Sequence, residues 1–225
     1  MNPIKSLLLS TPLAFIATVL VATVLAATVH AGTVTVNVTD AEGKPAPNAV
    51  VTARALGKPL AAGAPVTSAQ ATMIAQEKLQ FSPFVSIVQV GSSVKFINKD
   101  MFQHHVKSFS PAKSFELRMD AAKDKDKPNE TGAPVVFDKP GIVALQCAFH
   151  GSMRGHIFVA DTPYVATTDA KGNVLLTDVP DGEVELKVWH PDQFVDQNPV
   201  KAQSTSALTA ATMKLNMTPR VRRGG

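Results

Sequence analysis

Cys147, His150 and Met153 all fall in the short stretch CAFHGSM, and Cys147 is the only cysteine of the 225-residue chain. Thiolate, imidazole and thioether are metal donors, and a turn lets residues three apart point to a common centre. Soft thiolate and thioether favour Cu(I), and imidazole suits Cu(II). A cysteine with two histidines and a weak axial methionine makes an electron-transfer copper site. Zinc would more often recruit further cysteines or histidines, which this sequence does not cluster. A second histidine is then required, and NKDMFQHHVKSF supplies the pair His104 and His105. Strand register favours His104, because a one-residue slip sends the imidazole to the other face. Each donor also has an ordinary reading: a lone cysteine is often a small buried hydrophobe, Met153 could be core and His150 surface. Their joint placement, with a histidine upstream, argues for a site.

The elements that must hold these donors read as short strands. TVTVNVT (33–39) puts Val34, Val36 and Val38 on one face, and EVELKVW (183–189) does the same with Val184, Leu186 and Val188. Further strands are expected at 49–55, 85–90, 93–98, 141–147, 156–160 and 211–217. Only an Ala-rich segment at 60–76 hints at helical spacing. The expected class is all-β, with sandwiches. The turns TDAEG (39–43) and TDAKG (168–172) nearly repeat, with Asp to bond its own turn and Gly to supply a positive φ. The polar stretch 119–134 reads as a solvated loop without chemistry.

The first 31 residues have the layout of a secretory signal: one lysine, an apolar run, then small residues up to Ala31. The expected location is therefore periplasmic or secreted, with no membrane span after cleavage; His30 leaves with the signal. An oxidising compartment favours disulfides, which one cysteine cannot form within the chain. The formal net charge of +4 is weak and concentrated in the C-terminal PRVRRGG, so nucleic acid is not an expected partner. His156 and His190 read as structural.

Three resemblances sharpen these readings. VTVNVTDAEGKPAPNAVVTARA and VATTDAKGNVLLTDVPDGEVELKVWHPD resemble the first and later strands of a carboxypeptidase regulatory-like (transthyretin-like) sandwich. Between them, FSPFVSIVQVGSSVKFINKD, FDKPGIVALQC and CAFHGSMRGHIFV resemble a plastocyanin- or amicyanin-type cupredoxin. Most of the chain also resembles bacterial proteins described as methylamine utilisation proteins, through HHV, FDKPG, DTPY and VWHP. The implied architecture is a cupredoxin Greek-key β-sandwich nested in a second, transthyretin-like β-sandwich. The expected division is a signal at 1–31, outer sandwich at 32–66 and 162–217, cupredoxin domain at 67–161, and a basic tail at 218–225.

The cupredoxin resemblance implies one type 1 copper, with His104, Cys147 and His150 in plane and Met153 axial. The family's His-Asn-Val is His104-His105-Val106 here. The Asn that ties the two ligand loops is thus replaced by His105, which stands as an alternative ligand or a support behind the ligands. Ala148 replaces the usual hydroxyl residue beside the sulfur, which should alter the redox potential. The edge of His150 becomes the expected electron port, with Ala148, Phe149 and Gly151 as an apolar collar for transient docking of a redox partner protein. The leading expectation is a single-electron carrier and not an enzyme. Copper storage or delivery, and a structural β-module with an incidental metal site, are the alternatives.

Overall fold

The computed structural model describes residues 31–57, 73–124, 127–130 and 133–220. The expected signal up to residue 30, most of the Ala-rich stretch and the end of the basic tail lie outside them. The chain begins with β1 (Ala31–Thr39) and β2 (Val50–Ala55). Next come β3 (Met73–Glu77), β4 (Gln80–Ser82), β5 (Val85–Gln89), β6 (Ser93–Asn98) and β7 (His104–Ser110). These are followed by β8 (Lys113–Met119), β9 (Asn129–Glu130), β10 (Val135–Val136), β11 (Gly141–Cys147) and β12 (Arg154–Ala160). The chain continues through β13 (Val165–Thr167), β14 (Asn173–Pro180), β15 (Gly182–Trp189), β16 (Val200–Ser204) and β17 (Leu208–Lys214).

Pairing separates these strands into two sandwiches. β1 lies between β14 and β17, while β2 lies between β13 and β15, with β16 at the edge. The strands in between form their own two sheets: β10-β6-β3-β4 with β9 on β6, and β5-β12-β11-β7-β8. The protein is all-β among the described residues, and one sandwich is built from strands that flank the other in sequence.

Strict alternation builds the outer core. Val34, Val36 and Val38 of β1 meet Leu176 of β14 and Val184, Leu186 and Val188 of β15 in one cluster. The inner core is more varied, with Phe81, Phe96 and Phe137 packed among Ile74, Val143, Leu145 and Ile157. At Gly155 an added Cβ would sit 2.8 Å from the Cβ of Phe81, so β12 can approach β4 only with glycine there.

β5 and β12 are covered on both faces. Ile157 and Val159 point into the inner core. Ile87 and Ala160 meet Val50 and Val165 of the other sandwich, with Phe84, Phe158 and Trp189 packed around them. The near-continuous apolar run of β5 follows from that double burial. His156 lies on the junction face, 5.4 Å from the Phe84 ring and 5.6 Å from Trp189 by ring centroids. His190 is buried and its Nε2 lies 3.1 Å from the Pro47 carbonyl, as a structural residue would.

Three local expectations change. The last strand is Leu208–Lys214 rather than 211–217, although Leu215 stays buried. Alternation continues inward past the residue where the ladder with β1 stops. Residues 73–76 of the Ala-rich segment are extended, because β3 pairs in parallel with β6. The stretch 119–134 is not all solvated loop: Met119 and Ala122 are buried, and Asn129 pairs with Asn98.

Candidate metal centre

His104 opens β7 and Cys147 closes β11, and these strands are antiparallel neighbours, with Cys147 opposite Val106. Two strand ends therefore bring an imidazole and a thiol to one pole of the inner sandwich. The loop 148–153 folds back over them. Met153 donates its N–H to the His150 carbonyl at 2.9 Å, and Cys147 donates to the Met153 carbonyl at 3.3 Å. This tight turn returns His150 to the sulfur.

The donor atoms of His104, Cys147 and His150 all lie within 4.8 Å of one another. Cys147 Sγ is 3.6 Å from His104 Nδ1 and 3.4 Å from His150 Nδ1. Bonds of about 2.3 Å to sulfur and about 2.0 Å to nitrogen would set such atoms roughly 3.5 to 3.8 Å apart around one ion. The three donors fit a metal with little rearrangement. Met153 is buried in the same core as Cys147 and close to the group through its backbone bonds.

His104 is fully buried, and its Nε2 lies 2.9 Å from Asp100 Oδ2. A neutral imidazole donating from Nε2 to the carboxylate leaves the Nδ1 lone pair directed at the sulfur, the arrangement that orients a metal-binding histidine. Asp100 is itself fixed, since its two oxygens accept the backbone N–H groups of Lys78 (2.6 Å) and Leu79 (3.1 Å). Its own N–H bonds Asn98 Oδ1 at 2.9 Å, and Asn98 Nδ2 holds the carbonyls of Phe102 and Asp120. Burial lowers the His104 pKa below its ordinary value, against the opposing pull of Asp100, and the neighbouring His150 adds to the lowering. The neutral, ligating form is thereby favoured.

His105 does not join the cluster. Its ring sits 5.6 Å from that of Phe149, and its Nε2 lies 3.4 Å from a Glu116 oxygen. The period of two in β7 sends it to the opposite face. The loop tie survives the loss of the Asn side chain through the backbone: Ala148 donates to the His105 carbonyl at 2.9 Å.

His150 is half-buried, with Ala148, Phe149 and Gly151 exposed around it. Met101 and Phe102 extend this apolar surface, at 58% and 46% exposure beside 52% for Phe149. The Phe102 ring lies 6.0 Å from that of His104 and 5.8 Å from that of His150. Sequence reasoning passed over Met101, Phe102 and Asp100. The signal for Asp100 was a carboxylate four residues before the histidine, just past a strand end.

No family model and no curated protein matches the chain. Solved structures do. A Cu(I) form of an amicyanin variant is 20% identical, with a TM-score of 0.32 over 48% of this chain and 99% of its own. A purple cupredoxin from Nitrosopumilus maritimus is 22% identical, with a TM-score of 0.30 over 39% and 98%. A copper-containing nitrite reductase from Thermus scotoductus is 21% identical, with a TM-score of 0.33 over 55% of this chain and 28% of its own. Likeness at this level carries no argument about chemistry, which rests on the donors themselves.

Proposed function

We propose that the protein binds one copper ion, which His104, Cys147 and His150 would hold with Met153 as a further, weaker donor, and carries single electrons between partner proteins. The observation behind this reading is the buried thiol between two imidazole Nδ1 atoms at 3.6 and 3.4 Å. Copper bound there would supply a Cu(I)/Cu(II) couple. The chain contributes rigidity: two strand ends and one hydrogen-bonded turn hold the donors, and Asp100 fixes the His104 tautomer. A fixed set of donors keeps rearrangement between oxidation states small.

His150 is the member of the group that reaches the surface, and the apolar rim of Met101, Phe102, Ala148, Phe149 and Gly151 suits brief docking of a redox partner. Small, weakly held interfaces allow the partner to leave after transfer. In this reading the protein is an electron carrier rather than an enzyme and acts in the periplasm after loss of the 1–31 signal. The cupredoxin domain occupies 67–161, and the transthyretin-like outer sandwich (32–66 and 162–217) is its platform.

The test is to add Cu(II) and compare visible absorption and electron paramagnetic resonance with those of Cys147→Ser. An intense sulfur-to-copper band with narrow hyperfine splitting, lost in the variant, is expected. Weakly coloured copper unaffected by the substitution would overturn the reading.

A further inference from the structure

The two sandwiches do not meet along their whole length. Beside the metal centre they part around a cleft of about 830 Å³, within the size range of small-molecule sites. Lys78, Phe84, Arg154 and His156 line it from the inner sandwich, and Asp192 and Arg220 from the outer one. We propose that this cleft binds a small organic anion with a flat apolar portion.

Charge is the first argument. Asp192 is the only acid on the wall among the described residues, and it is already engaged. Its Oδ1 accepts from Nε and Nη2 of Arg220 at 3.2 and 3.0 Å, and its Oδ2 from the Arg220 backbone at 3.0 Å. Lys78 and Arg154 therefore face the cleft with no acid of the wall left for them. Among the described residues, Arg154 makes a 3.4 Å bond from Nη1 to the Met153 carbonyl and pairs with no acid. Two cations, one from the β3–β4 turn and one from the start of β12, suit a carboxylate better than a neutral group.

Shape is the second. Phe84 and His156 form an edge-to-face aromatic wall, backed by Trp189, so a planar apolar group finds rings on that side.

The third argument is backbone. Lys78 and Leu79, which both line the cleft, have φ of 53° and 59°. Such values are unusual for residues other than glycine and are kept only where the surroundings impose them. The Asp100 carboxylate imposes them by binding both amides, and the same carboxylate holds His104. Met153 also lines the cleft. An occupant would lie between the turn that fixes one donor of the centre and the methionine of the ligand loop. The outer sandwich then has a defined part in the site, because it supplies one wall.

The experiment uses metal-free protein, so that its outcome does not depend on the copper reading. Trp189 is the only tryptophan, and its emission reports on the His156 wall. Sodium benzoate is the probe, and benzamide its uncharged counterpart. Saturable change in Trp189 emission by benzoate is expected, together with shifts of the Lys78 and Leu79 amide resonances. Benzamide, and benzoate with Lys78→Gln/Arg154→Gln, should each bind about tenfold more weakly or worse. Both substituted side chains are exposed, and circular dichroism checks that the fold is kept. Equal binding of benzamide, undiminished benzoate binding by the double variant, amide shifts confined to other regions, or no saturable response would overturn the proposal.

Discussion

The two sandwiches use the same architecture for different ends. In the outer one, β1, β14 and β15 bury valine and leucine with regular alternation, its apolar cluster holds no cysteine among the described residues, and its buried His190 lies against a backbone carbonyl and not against a thiol. In the inner one, the core admits Cys147 and Met153 beside the phenylalanines, and His104 is buried at the pole where β7 begins. Sheet pairing satisfies the backbone in both. What differs is the pole: in the inner sandwich a strand start, a strand end and a short loop place N and S donors on one point. A regular core confers stability, and the irregular end of a core confers chemistry.

Breaking each region separately tests this contrast. Leu186→Ala in the outer core should cost about 2–5 kcal/mol, read by denaturant unfolding, while leaving the copper spectrum of folded protein unchanged. A changed spectrum would mean that the outer core shapes the centre. Asp100→Asn should act on the site as well as on the fold. With the anionic partner of His104 gone, copper affinity should fall about 10–100-fold by chelator competition and the reduction potential should rise, with a stability loss of about 1–3 kcal/mol because one of the donors that the carboxylate accepts from loses its partner. Unaltered affinity would remove Asp100 from the account of the site.

The acid response sharpens the contrast further. Because burial lowers the His104 pKa, the unfolded chain takes up this proton before the folded one does. Stability of metal-free protein is then fully present above the ordinary value of 6.5 and falls as pH drops below it towards the folded pKa. Melting temperature measured across that range should decline more steeply in the parent than in His104→Asn; parallel curves would contradict the assignment. The smallest effect belongs to the surface. Arg54 and Asp161 pair at 2.6 Å with both side chains about half exposed, so Asp161→Asn should change stability by less than about 1 kcal/mol and leave copper binding intact.

Much of this organisation was legible in the chain itself. Val34-Val36-Val38 and Val184-Leu186-Val188 announce half-buried strands because side chains in a strand alternate, a rule that needs no partner to be known. Cys147, His150 and Met153 are legible as a group because one short loop carries them. The strands β7 and β8 were harder to read. Phe109 is 70% exposed in β7, and β8 alternates between half-buried and exposed positions as an outer strand of its sheet. Their patterning is correspondingly weak.

The sequence by itself determined the strand class, the donor types and the loop that carries three of them, since these depend on side-chain chemistry and spacing over a few residues. Only the tertiary structure decided that His104 and not His105 meets the sulfur, that Asp100 stands behind it, and that His156 and Trp189 face each other across the junction. The first and last of those pairings join residues from separate strands, 33 residues apart in the last case, and are set by sheet register and the packing of one sandwich on another, while the Asp100 contact depends on how the loop between β6 and β7 folds back.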